Sequence, residues 1–340
     1  MKRYLVLACI FSLHAEQAKL RWGILSTAQI SHTFVDALKQ STKSEVVAVA
    51  SRDLERAQAY AEKHQIQTAY GSYEELINDA NIDVIYISLP NNLHAEWTIK
   101  AAQQKKHVLC EKPLTLSIEE IDRIQQAAQE NNVIISEGLM YLSHPQTLVV
   151  EEIIRRGIIG DVIHIDAWLD RYMPTDNEPL CLRSEFGGGA LWNFGIYPVS
   201  FAMLIARQIP AEVRACEKMN EHGCDSVLIG DMKFEGCTAH ISCNMISPSS
   251  KGASIIGTKG RIEIPNPWTP GKQNEETEIT VITHEYGVET LKIMAKNPYL
   301  CEIEDMELCI LENKSPRIPL EISKAFLNTI LELYKDAQQH

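Results

Sequence analysis

The stretch Val108-Leu109-Cys110-Glu111-Lys112-Pro113-Leu114 decides how the rest of the chain is read. Val108 to Cys110 is an unbroken apolar run, the pattern of a strand buried on both faces. It delivers a carboxylate, an ammonium and a proline to its C-terminal end. In an open parallel α/β sheet, ligands gather at the carboxyl ends of the strands. A lysine there is a candidate proton donor or acceptor, because burial or a neighbouring positive charge draws its pKa towards neutrality. The plain alternative is a solvated strand-to-loop turn, and three residues alone do not separate the two.

Working outward, Leu20–Leu25, Glu45–Ala50, Val84–Ser88, His107–Cys110 and Val133–Ile135 read as strands. Between them, Gln29–Gln40, Leu54–His64 and Leu93–Gln104 read as helices. Ser72 and Ser117 open two more, with Glu75 and Glu120 at capping-box positions. Strands alternating with helices at this spacing predict βαβ units and a doubly wound parallel sheet. After Gly138 the rhythm changes. Pro145–Arg156 predicts a helix and Val162–Asp170 a half-buried strand, while Gly187–Ala206 runs from loop into helix. Strand-like runs follow at Val213–Met219, Val227–Phe234, Thr238–Met245, Ala253–Ile256, Arg261–Ile264 and Glu278–Thr283. They predict an open, mostly antiparallel sheet, closed by helices near Tyr299–Glu312 and Glu321–Asp336. The fold class is therefore α/β followed by an α+β domain. The expected division is a leader or extension over 1–19, a nucleotide-binding domain over 20–138, and a substrate-binding and oligomerisation domain over 139–340.

The 340 residues carry a net charge of −13, which argues against nucleic-acid or membrane partners. Nine cysteines form no CxxC and no zinc-like cluster. Free, buried thiols fit a reducing compartment, so the expected location is the cytoplasm. Residues 1–18 give an alternative: Lys2-Arg3, a mostly apolar run from Tyr4 to Leu13, and small residues at a possible cut after Ala18 have the layout of an export signal.

Chemistry is expected at four places. The turn Ser26-Thr27-Ala28-Gln29-Ile30-Ser31 stands where a dinucleotide fingerprint would present a helix N-terminus to a pyrophosphate, but Ser26, Ala28 and Ser31 occupy the glycine positions. The second strand ends at Ser51-Arg52, where an acidic residue would read the ribose of NAD and an arginine accommodates the 2′-phosphate of NADP. The fourth helix is preceded by Leu89-Pro90-Asn91-Asn92-Leu93-His94, a loop expected to flank the nicotinamide, with Asn92 also suited to cap the helix. Gly187-Gly188-Gly189 leads into Trp192, Asn193 and Tyr197. Asn193 and Tyr197 are four apart and share a face if helical.

That ordered set, together with Glu111-Lys112-Pro113 and Glu137-Gly138-Leu139-Met140-Tyr141-Leu142-Ser143-His144-Pro145-Gln146, resembles the Gfo/Idh/MocA oxidoreductases. The likeness is nearest the branch of dimeric dihydrodiol dehydrogenase and NADP-dependent D-xylose dehydrogenase, and it spans about residues 20–338. The resemblance implies a Rossmann domain, a Lys112-Pro113 bond that is cis, and an open sheet used for a homodimer or homotetramer. It implies NADP, and less so NAD, held by Ser26, Thr27, Ala28, Gln29, Ile30, Ser51, Arg52, Leu89, Pro90, Asn91, Asn92, His94, Glu111 and Lys112. It implies catalysis by Lys112 and Tyr197 with Asn193. A sugar or cyclic polyol would lie against Tyr141, His144, Trp192, Asn193 and Tyr197. Asn193 stands where the family usually carries Asp, and Asn supplies no negative charge to a lysine. The expected activity is hydride transfer between nicotinamide and a carbinol or carbonyl carbon. The alternatives are a sugar–sugar oxidoreductase that retains its cofactor, a silent nucleotide-binding protein on the same fold, and an NAD-dependent amino-acid or biliverdin-type reductase.

Overall fold

The computed structural model describes residues 19–174 and 179–339. The expected leader, apart from Lys19, lies outside the described residues. The first half is β1 (Leu20–Leu25), α1 (Gln29–Leu38), β2 (Ser44–Ala50), α2 (Leu54–His64), β3 (Thr68–Tyr70), α3 (Tyr73–Asn78), β4 (Val84–Ile87), α4 (His94–Gln103), β5 (His107–Glu111), α5 (Ile118–Asn131) and β6 (Ile135–Gly138). The six strands pair in the order β3-β2-β1-β4-β5-β6, all parallel. Alternate residues feed two cores: Ile85, Ile87, Val108 and Cys110 on one face, Val84, Tyr86 and Leu109 on the other. Ser72 and Ser117 each accept the N–H of the residue three further on, as the capping pattern requires. The last strand starts later than its apolar trio suggests, because pairing with β5 aligns Val108 with Ile135 and Glu111 with Gly138.

The second half is α6 (Pro145–Arg155), β7 (Val162–Asp170), α7 (Ile196–Ala206), β8 (Glu212–Met219), β9 (Asp225–Lys233), β10 (Thr238–Asn244), β11 (Ser250–Gly257), β12 (Gly260–Ile264), β13 (Glu276–Thr283), β14 (Gly287–Met294), α8 (Pro298–Glu312) and α9 (Leu320–Ala337). Its eight strands run β14-β13-β12-β11-β7-β10-β9-β8, antiparallel except for β7 with β10. Their inner face, with Ile165, Ala167, Ile241 and Ile255, forms a third core with α7 and α9. The apolar run Ser184–Ala206 has the length and composition to cross a membrane, yet most of it is buried in this core. Helix α8 leaves that sheet and covers the parallel one, where Leu300, Ile303 and Met306 pack with Trp22, Phe34 and Tyr86. The two halves thus meet along the carboxyl ends of β1, β4 and β5.

Candidate active site

The fingerprint turn keeps its shape without glycine. Ser26 adopts φ 113°, a conformation that normally favours glycine. Its hydroxyl accepts the Ala28 N–H at 3.1 Å. Ser31 is fully buried and its hydroxyl ties the Ser26 carbonyl, at 3.1 Å, to the Ser88 hydroxyl, at 2.7 Å, at the end of β4. No side chain caps α1; the Ser31 N–H turns back to the Ala28 carbonyl at 3.0 Å, and the Gln29 and Ile30 N–H groups remain available to an anion. A groove of about 920 Å³ runs past this turn, lined by Ser26, Thr27, Ala28, Ile30, Ser51, Arg52, Ser88, Leu89, Pro90, Asn91 and Asn193.

At its far end Arg52 is joined by Arg56 and Tyr73, neither of which the sequence pattern singled out. Asp53, the one carboxylate at this turn, is spent on its own helix, where Oδ1 accepts the Arg56 N–H at 3.2 Å. The end that would meet an adenosine ribose is therefore cationic. Dimensions, free N–H groups and paired arginines fit a dinucleotide with an additional phosphate.

The groove opens into a cavity of about 630 Å³ that shares Ile30, Ser88, Leu89, Asn91 and Asn193 with it. Lys112 and Tyr197 line this cavity. The Lys112–Pro113 bond is cis. Lys112 Nζ donates to the Asn193 carbonyl at 2.8 Å and stands 5.3 Å from the centre of the Tyr197 ring. Burial draws the ammonium below its ordinary pKa; Glu111 opposes this and Arg171 reinforces it. Glu111 lines the cavity rather than the groove, and its Oε1 accepts the Tyr86 hydroxyl at 2.7 Å. After the proline, the Leu114 N–H is held by buried Glu137 at 2.9 Å. Among the described residues the Tyr197 hydroxyl has only the Met140 sulfur, at 3.7 Å, as a partner, and it lines the cavity where a ligand would sit.

Asn193 lies in a π-helical turn, Leu191–Gly195. Its main-chain carbonyl, not its side chain, receives Lys112, while the amide Nδ2 donates back to Gly189 O at 2.8 Å. The absent family Asp is thus partly replaced by a peptide dipole. Asp225, which the sequence pattern missed, anchors this turn: Oδ2 accepts the Leu191 N–H and Oδ1 the Tyr334 hydroxyl, both at 2.8 Å. Gly189 is at φ 129°, and a Cβ there would lie 2.1 Å from Asp225 Oδ1. Burial pushes the Asp225 carboxyl up to about 6.

Several expected site residues sit elsewhere. Tyr141 is fully buried behind Tyr197, and its hydroxyl pairs with Ser200 at 2.8 Å. His144 is also fully buried, accepts the Gln146 N–H at 3.0 Å as the cap of α6, and faces the Lys296 N–H. Trp192 packs on Tyr334, with centroids 5.5 Å apart, and lines neither groove nor cavity. Core packing has claimed these three, because large side chains beside a turn are worth more buried than wet. Gln29 is exposed outside the groove, and Asn92 donates to the Glu185 carbonyl rather than capping α4, which a 3₁₀ turn at Asn91–Leu93 precedes. His94 touches the cavity, but both ring nitrogens are committed to carbonyls, Pro113 at 2.7 Å and Leu89 at 2.8 Å. It braces the loop against the proline segment.

The geometry agrees with what the chain is similar to. Residues 20–139 match the oxidoreductase family with an NAD-binding Rossmann fold, and residues 147–263 match the GFO/IDH/MocA C-terminal domain. A trans-1,2-dihydrobenzene-1,2-diol dehydrogenase of Danio rerio is 34% identical over 74% of this chain and 76% of its own. A D-xylose 1-dehydrogenase (NADP(+)) of Haloferax volcanii is 31% identical over 94% of this chain and 98% of its own. The crystal structure of KijD10, a 3-ketoreductase from Actinomadura kijaniata in complex with NADP and TDP-benzene, superposes with a TM-score of 0.86 at 25% identity, covering 94% of this chain and 98% of that one.

Proposed function

The chain belongs to the Gfo/Idh/MocA oxidoreductase family, and from that premise we propose that it is an NADP-dependent dehydrogenase or reductase acting on a carbinol or carbonyl carbon of a sugar or cyclic polyol. The observation that carries the reading is the position of Lys112, at the junction of a dinucleotide-sized groove and a separate cavity, with its pKa lowered by burial. Bound in the groove, the nicotinamide would supply or accept the hydride. The first turn of α1 would hold the pyrophosphate and Arg52 and Arg56 the extra phosphate, while Leu89 and Asn91 would border the nicotinamide end. In the cavity, Lys112 takes the hydroxyl proton on oxidation and returns it on reduction. The Tyr197 hydroxyl orients the same oxygen, and Asn193 fixes the lysine through its carbonyl.

The curated relatives act on a dihydrobenzene diol and on D-xylose, which is the support for a sugar or diol. The compartment we propose is the cytoplasm, where the described cysteines, all free, stay reduced. We propose a homodimer or homotetramer through the open face of the eight-stranded sheet. There Cys216, Ile229, Ser242 and Trp168 form one cross-strand row, and Ile229 is 39% exposed. The test of activity is a screen of sugars and cyclic diols with NADP+. Turnover of at least one supports the reading, and cofactor binding with no turnover favours a silent protein of the same fold.

A further inference from the structure

The cavity beyond Lys112 is cationic in a chain whose net charge is −13. Arg171 and Lys251 line it from the eight-stranded sheet. Leu169 pairs with Lys251 across β7 and β11. Arg171 follows two residues after Leu169, so all three project to the inner side of the sheet, where its apolar core ends and the cavity begins. Neither cation has a carboxylate partner among the described residues. Lys251 Nζ donates only to the Thr269 hydroxyl, at 2.9 Å, and burial draws its pKa down. The carboxylates that line the same cavity, Glu111 and Asp170, are both pushed up by burial, with the Tyr86 hydroxyl opposing the shift at Glu111. Three cations, Lys112, Arg171 and Lys251, thus face two carboxylates in this lining.

Arg171 and Lys251 are absent from the groove that suits the dinucleotide, whose own phosphate end carries Arg52 and Arg56. Two cations without a carboxylate partner among the described residues therefore line the cavity and are not explained by the cofactor. Arg171, Lys251 and Lys112 line one cavity of about 630 Å³, so an anion held by the first two lies within one small molecule's reach of the reacting oxygen at Lys112.

We propose that the substrate is an anionic sugar or polyol, whose carboxylate or phosphate is bound by Arg171 and Lys251 while its carbinol or carbonyl carbon faces Lys112. The proposal rests on the oxidoreductase reading and names its substrate class. A guanidinium pairs with either anion through two parallel hydrogen bonds, and the ammonium adds a point charge. Trp268 and Tyr197, which line the same cavity, supply flat surface for the carbon skeleton.

The test uses the full-length protein with NADP+ and three sugars that share one ring: glucose, glucuronate and glucose 6-phosphate. The expected result is a kcat/KM for one of the anionic sugars at least about tenfold above glucose. A preference for glucuronate assigns a carboxylate, and one for glucose 6-phosphate a phosphate. In R171Q and K251Q the anionic-to-neutral ratio falls at least about tenfold, chiefly through KM, and R171K recovers part of it. Equal kcat/KM on all three sugars, or a ratio that both glutamine variants leave intact, overturns the proposal. If no sugar is turned over, calorimetric titration of the NADPH complex with glucuronate and glucose 6-phosphate still decides. Saturable binding of one anion that R171Q weakens about tenfold supports the cation pair while the catalytic reading fails; no binding of either anion overturns the cation pair as well.

Discussion

Replacing Lys112 with methionine keeps most of the side-chain volume and removes the ammonium. The nitrogen it deletes lies 2.8 Å from the Asn193 carbonyl and 5.3 Å from the Tyr197 ring centre, on a residue that lines the cavity rather than the cofactor groove. A positioned acid–base group contributes about 10² to 10⁴ in rate, or about 3–5.5 kcal/mol of barrier at 1.36 kcal/mol per decade. K112M should therefore lower kcat by about 10²- to 10⁴-fold. The Asn193 carbonyl loses one donor, worth about 1 kcal/mol of stability, so the fold survives and NADPH binding should change by less than about threefold. The assay follows nicotinamide absorbance with the best sugar or diol, alongside a fluorescence titration with NADPH. Because burial holds the Lys112 pKa below its ordinary value, kcat for oxidation should rise with pH through that lowered pKa as the neutral amine becomes available. K112M should lose that limb, and K112R, which stays protonated, should not restore it. A kcat for K112M within about threefold of the parent, with NADPH binding retained, would refute the assignment.

Three further outcomes follow from the same geometry. R52S should weaken NADPH binding about 10- to 100-fold through loss of a charge-assisted contact and leave NADH nearly unaffected; equal losses for both would mean that Arg52 does not read the 2′-phosphate. Asp225, at about 6 against an ordinary 3.8, favours its protonated form when folded, so the stability it contributes is complete below about pH 4 and lost as pH rises through 6. In D225N that dependence should vanish, a difference of about 3 kcal/mol between the two proteins' denaturant-unfolding profiles from pH 4 to 7; parallel profiles would place the carboxyl in water. G189A sets a Cβ 2.1 Å from Asp225 Oδ1 and 2.9 Å from the Tyr334 hydroxyl. It should cost about 3 kcal/mol or more in unfolding free energy and reduce turnover with it, whereas an unchanged melting curve would contradict the close approach.

The parallel sheet was legible because its strands are short apolar runs punctuated by capped helices. Val84–Ile87 and Val108–Cys110 are buried throughout, so their pattern carries one message. Strand β14 escaped notice because it is a sheet edge: Gly287 to Thr290 are all exposed, and no alternation is imposed where neither face is packed. Strand β3, three residues long, holds too little pattern to read. In the candidate site, residues fixed by the local chain were legible from the sequence, and Lys112 after β5 and Ser26 after β1 line the cavity and the groove. Those brought in by tertiary packing were not. Asp225 reaches the glycine turn from β9, Arg171 and Lys251 arrive from the other sheet, and Arg56 enters because Asp53 caps its helix. Tyr141, His144 and Trp192 erred the other way: a motif position says which residue is near a site, while burial decides which way it faces.

The central claim is that the groove selects NADP and presents it to Lys112. The most direct measurement is a fluorescence titration of the purified protein with NADPH and with NADH. Saturable NADPH binding at least about tenfold tighter than NADH is the predicted result. Equal affinity, or binding of neither, would contradict the roles given to Arg52, Arg56 and the serine-built turn.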